Sequence, residues 1–123
     1  MRQFILVGLV LMASGCSSPS TEHWLGQLSD PDVVRSREAI REFAKRTAEP
    51  ERVVPALTEA LRDENGYVRH DAAWAIGHFG AEAQEALPAL NVALKDEARN
   101  VRIAAVSALK KIDPGAAGKV GVR

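Results

Sequence analysis

Cysteine is almost missing from this chain, with one among 123 residues, Cys16. That excludes an intrachain disulfide and any zinc site built from several thiolates. Aromatic residues are scarce at 5%, which suits small, closely packed, alanine-rich helices better than a β-sandwich. There is no surplus of either charge: Lys plus Arg and Asp plus Glu each number 16, a formal net charge of zero. A nucleic-acid binder needs excess cations to displace counterions from phosphates, so no nucleic-acid partner is expected. No apolar run is long enough to cross a bilayer. Phe4 to Ala13 (FILVGLVLMA) would reach about 15 Å as a helix, against roughly 30 Å of hydrocarbon. What is present, 46% apolar and 26% charged residues, is ordinary for a globular protein, and the length allows one domain.

The N-terminus is an address. Arg2 is a positive n-region, Phe4 to Ala13 an h-region, and Ser14-Gly15-Cys16 a small-residue cleavage box. This resembles a bacterial lipoprotein signal, with Ala13 standing where leucine is usual. The resemblance implies cleavage of residues 1–15 between Gly15 and Cys16. It further implies a diacylglyceryl group on the Cys16 thiol and an acyl chain, such as palmitate, on the new amine. More than one chain anchors stably in a membrane. Ser17, where aspartate would favour inner-membrane retention, points to the outer membrane facing the periplasm in a Gram-negative host. The alternative is a plain secretory signal in which Cys16 is incidental. Residues 16–20 are a polar tether.

The remainder repeats with a period of 33. Leu57 and Leu61 fall on Leu90 and Leu94, and backward on Trp24 and Leu28. Asp63 falls on Asp96 and Asp30, Ala72 on Ala105 and Ala39, and Val68-Arg69 on Val101-Arg102. Such a period marks a solenoid, and about three units are the minimum for stability. Inside each unit the apolar spacing is helical: Leu57 and Leu61 share one face, and Val68, Ala72, Ala75, Ile76 and Phe79 form one stripe. Polar breaks at 63–66 and 96–100 separate the stripes. The expected helices are 51–62 paired with 66–79, and 82–95 paired with 99–112. The first unit starts with a short helix, Thr21 to Leu28. Asp30-Pro31 reads as the cap and first-turn proline of its second helix. Gly77 reads as a tight packing position and Gly80 as a helix end. The fold class is therefore all-α: a short α-solenoid of about three antiparallel helix pairs, in units of about 21–48, 50–80 and 82–113. Residues 114–123 read as a flexible tail.

VRHDAAWAIGHFG and VRIAAVSALKKI resemble the second helix of HEAT repeats, particularly the short phycobilin-lyase-type HEAT-like repeats. VPALTEALRD and LPALNVALKD resemble the first helix. The likeness covers roughly residues 21–113. The first unit departs from the pattern, with Arg35 at the valine position and Val34 one place early. In the family, Asp63 with Arg69 and Asp96 with Arg102 would build a ladder of charge-assisted bonds between adjacent turns. The first unit carries Ser36 opposite Asp30 at that spacing, so its ladder should be incomplete.

Catalytic signatures are lacking. No His-Glu-x-x-His run, phosphate-cradling glycine loop or Gly-x-Ser-x-Gly elbow occurs. His70 and His78, eight residues apart on one helix, are separated by about 12 Å, too far to share one metal ion. No enzyme activity, cofactor or metal is expected. The more informative row is the outer side of the second helices. His70, Trp74 and His78 lie opposite Val68, and the 33-residue offset sets them beside Arg37, Arg41 and Lys45 on one flank and Ile103, Ser107 and Lys111 on the other. An exposed tryptophan among cations is hot-spot composition, so this strip is a candidate surface for an acidic or extended protein segment. The blander reading pairs Arg41 with Glu38 and Lys45 with Glu42 along their own helix and has Trp74 bridging helices.

Ile103, Val106 and Ile112 are candidate apolar contributors to an open end of the last unit. The tail at 114–123, a second copy in an end-to-end homodimer, or another protein would cover it. The function expected is a non-catalytic, lipid-anchored interaction module or scaffold at the bacterial cell envelope. Two alternatives stand beside it: a structural subunit docking through the open end, and a bilin-lyase-like accessory.

Overall fold

A computed structural model describes residues 19–115. The expectations on the signal at 1–15, on Gly15 and Cys16, and on the tail beyond residue 115 lie outside the described residues. Among the described residues six α-helices follow one another: α1 (Thr21–Leu28), α2 (Val33–Arg46), α3 (Pro50–Ala60), α4 (Gly66–His78), α5 (Leu87–Ala93) and α6 (Arg99–Ile112). A 3-10 segment, Gly80–Ala86, precedes α5. There is no strand among the described residues. The helices pair as α1/α2, α3/α4 and α5/α6, and successive pairs stack into a short α-solenoid. No described helix is long and apolar enough to cross a membrane.

The recurring aspartates are explained by the turns inside each pair. Asp30 Oδ1 accepts from the Asp32 N–H at 2.8 Å, Asp63 Oδ1 from Asn65 at 2.8 Å, and Asp96 Oδ1 from Ala98 at 2.9 Å. These are three copies of one Asx turn, spaced by the repeat. In the first two turns the next element is a side-chain helix cap, which Ala98 cannot supply in the third. Asp32 accepts from Val34 N–H at 2.9 Å and Asn65 from Tyr67 N–H at 2.8 Å. Hence α2 opens at Val33 with Asp32 as its cap, not at Asp30-Pro31 as the sequence suggests, because Asp30 is already committed to closing the turn.

Two further differences concern local geometry. The single helix expected over 82–95 is broken. Gly80 has φ +57° and leaves α4 in the left-handed conformation that glycine adopts freely. The chain then winds as a 3-10 segment in which Leu87 N–H bonds the Gln84 carbonyl. Pro88 has no N–H to give that carbonyl, so the α-helical ladder begins only at Leu87. In the first unit, Val34 does not replace the missing valine. It is 71% exposed, while Ser36, Ala39, Ile40 and Phe43 face inward.

One seam forms the core. Leu57 and Leu90 are fully buried, with Trp24 at the equivalent place in α1. Ala39, Ala72 and Ala105 are buried at equal depth on the second helices, and their single methyl lets neighbouring helices approach. Each fully buried leucine contributes about 2 kcal/mol. The central α4 lies between α2 and α6 and against α3, and it buries residues around most of its circumference, including Arg69 and Asp71. That is expected of a helix flanked on three sides.

Candidate functional site

The second helices α2, α4 and α6 lie side by side with α4 in the middle, so the row read from the sequence is a real surface. Trp74 keeps 41% of its area exposed, which rules out full burial between helices. Its ring meets that of His78 at 4.3 Å between centroids, inclined by 60°, and His78 Nδ1–H donates to the Trp74 carbonyl at 3.0 Å. That bond sets the imidazole orientation. Lys111 arrives from α6, its Cδ 3.4 Å from where a Gly77 Cβ would stand. Lys45, at the far end of α2, bonds Glu42 on its own helix at 2.8 Å. The Lys45 hydrogen bond, with Arg46 adding to it, holds the Glu42 carboxyl below its ordinary range.

The residue that organises the cationic flank was not singled out from the sequence. Asp71 on α4 has a side chain only 7% exposed and accepts from Arg37 Nε at 2.7 Å, with Arg41 Nε at 3.7 Å. His70 Nδ1–H donates to its other oxygen at 3.0 Å. Arg41 therefore faces Asp71 across the helix boundary and not Glu38 along α2. Arg37 also lies over the exposed Tyr67 ring, its Cζ 5.3 Å from the centroid, a cation–π contact. A signal was available: Asp71 follows Arg37 by 34 residues, one repeat plus one, so the two sit level on adjacent second helices. The arrangement carries no nucleophile aimed at an activating base. It offers an aromatic platform beside guanidiniums that a buried carboxylate holds in place. Among the described residues no group of three or more His, Cys, Asp or Glu side chains could hold a metal ion.

The ladder residues sit away from this face: Asp63 and Asp96 in the turns, Arg69 and Arg102 in the first turns of α4 and α6. Arg69 Nε and Nη2 donate to the two Asp96 oxygens at 2.9 and 3.1 Å. Its Nη1 donates to the Asp63 and Glu64 carbonyls at 2.7 and 2.9 Å. Asp63 thus meets Arg69 through its carbonyl, and the carboxylate that binds Arg69 belongs to the following unit. Burial pushes the Asp96 carboxyl up, but the bonds from Arg69 and from Ala98 N–H outweigh it and hold it below the usual carboxylate value. The Asp96 hydrogen bond raises Arg69 in turn, against the opposing effect of burial. Arg102 Nη1 donates to the Asp96 and Glu97 carbonyls at 2.6 and 3.1 Å.

At the last unit, Ile103 is 58% exposed and Val106 half-buried. Ile112, expected on the open face, is 3% exposed. It ends the buried stripe of α6, in the place that Phe79 occupies at the C-cap of α4, so it belongs to the core and drops out of the candidate surface.

The family model described as HEAT repeats matches residues 54–119 of the chain. No curated protein matches it.

Proposed function

The chain belongs to the HEAT-repeat family, and from that premise we propose that it is a non-catalytic protein-interaction module whose second-helix face receives a protein segment. We read its units as the short form similar to that of phycobilin lyases, without carrying over their chemistry, since a scaffold fold does not import an activity. The observation that carries the reading is the exposed Trp74, packed on His78 in the middle of the face. Large aromatics with low rotamer entropy dominate binding energies. Arg37 and Arg41 beside it are already positioned by Asp71, which lowers the ordering cost of engaging a partner carboxylate. An extended, acidic segment with one apolar anchor fits this chemistry. Capture by crosslinking from native membranes tests it. Trp74→Ala should reduce recovery of the partner about tenfold or more while the melting temperature stays nearly constant. A large fall in melting temperature with undiminished capture would make the tryptophan a core residue and end the proposal.

The lipoprotein-like box argues for a position at the cell envelope, with the chain anchored through acylated Cys16. Intact-mass measurement should find residues 1–15 gone and acyl chains added. Retention of Met1 without acylation would refute the anchor and leave the interaction reading standing. A second reading has its own observation, the exposure of Ile103 on the last helix: a structural subunit or second copy docks at the open end. Ile103→Asp would then abolish association, and Trp74→Ala would not.

A further inference from the structure

The frame that grips Arg69 occurs a second time in this molecule without a guanidinium inside it. Around Arg69 the frame consists of the Asp96 carboxylate and the carbonyls of Asp63 and Glu64. One repeat earlier, the same positions are held by the Asp63 carboxylate and the carbonyls of Asp30 and Pro31, and the arginine position is Ser36. The backbone of the two frames is built alike, since all three turns carry the same Asx bond at 2.8, 2.8 and 2.9 Å. Ser36 does not fill the frame. Its buried hydroxyl turns to the Leu28 carbonyl at 2.9 Å. A cavity of about 530 Å³ opens there, lined by Asp30, Ser36, Asp63, Glu64, Asn65 and Val68 among others. Arg35 does not reach in. It is 63% exposed and sits 3.6 Å from Asp30.

We propose that this slot between the first and second helix pairs binds the side chain of an arginine presented by a protein partner. The acidic lining alone would not identify the occupant. The equivalent frame one repeat later does so, because there this same chain binds a guanidinium bidentately and caps it with two loop carbonyls. A carboxylate and two carbonyls set for a planar fork match arginine and not the compact ammonium of lysine. The slot lies at the turn edge of the stack, away from Trp74. It extends the interaction reading to a second surface, and either can fail without the other.

Titration of the isotope-labelled full chain with acetyl-arginine amide, followed by amide chemical shifts, tests the assignment. Acetyl-citrulline amide, neutral and nearly isosteric, is the control. Saturable shifts at Ser36, Asp63, Glu64 and Asn65 are expected with arginine and not with citrulline. Asp63→Asn keeps the Asx turn, because the amide oxygen still accepts from Asn65, and should weaken binding about tenfold. Ser36→Arg should occupy the slot from within, raise the melting temperature and abolish the response. Equal shifts with citrulline, shifts that never saturate, or undiminished binding by Asp63→Asn would each overturn the proposal. The last result decides the matter even if Ser36→Arg does not fold.

Discussion

The two junctions of this solenoid share a backbone frame and close it differently. Between the second and third pairs, Arg69 ties its own turn to Asp96 of the next, with both side chains about nine-tenths buried, and α4 meets α6 across Gly77 and the alanines at 104, 105 and 108. Between the first and second pairs the turn holds only Ser36, and the polar closure lies elsewhere: Arg37 and Arg41 of α2 on the buried Asp71 of α4. One junction locks its charge pair inside the turn. The other places it on the second-helix face, where a partner can reach the outer side of the same guanidiniums. A repeat architecture tolerates this because each interface is a nearly separate energetic unit. The first junction can carry recognition chemistry while the second carries rigidity.

The largest expected effect separates the junctions directly. Arg69→Ala should cost about 3 kcal/mol, because it strands the Asp96 carboxylate in a poorly solvated turn. The melting temperature should fall by roughly 15 °C for a domain of this size. Asp63→Asn at the first junction should cost less than about 1 kcal/mol, since the carboxylate there accepts only the turn bond from Asn65 and an amide oxygen can replace it. Thermal melts of the two variants check the contrast. Equal losses would mean that the first junction, too, holds a charge pair inside its turn, and the distinction would collapse.

A smaller effect should appear in acid. Asp96 sits below its ordinary carboxylate value in the fold, because the Arg69 and Ala98 bonds outweigh burial. A depressed carboxyl contributes stability that is fully present above the unfolded value, near about pH 4, and is lost as pH falls through the lower folded value. Melts below about pH 4 should therefore decline faster for the wild type than for Asp96→Asn. The loss should stay smaller than that of Arg69→Ala, since a protonated Asp96 can still accept from the guanidinium. Parallel declines would show that the ladder does not contribute to acid sensitivity.

The fold was legible because it repeats. Leucines four apart, alanines at 39, 72 and 105, and aspartates at 30, 63 and 96 reflect the same physical demand three times over, so each copy corroborates the others. What the period obscured were local competitions. Asp30 reads as a helix cap from sequence, but the turn bond claims it, and the expected helix over 82–95 meets the left-handed exit at Gly80 and the missing N–H of Pro88. The candidate face was visible as a row of exposed side chains, and Trp74 and His78 do lie together on it. Its electrostatics were not visible, because the anion that sets them lies on a neighbouring helix, 34 residues from Arg37. Pairing along one helix can be read from spacing of three or four; pairing between helices needs the stacking register.

The finest test of the contrast is Gly77→Ala. At the equivalent place in the first pair the chain has Ala44, 33 residues earlier, buried beside α4. The first junction therefore accommodates a methyl where the second has none. A Cβ on Gly77 would stand 3.1 Å from the Ala108 Cα and 3.4 Å from its Cβ, and backbone cannot rotate aside as a long side chain can. Replacing a mid-helix glycine with alanine gains about 0.5–1 kcal/mol from reduced unfolded-state freedom. Forcing a carbon into a filled interface costs about 1–3 kcal/mol. The steric term wins, and the net loss should be about 1 kcal/mol, or roughly 5 °C in melting temperature. An increase in melting temperature would mean that α6 yields at little cost. The second junction would then owe its rigidity to the Arg69 ladder alone and not to the close approach of its helices.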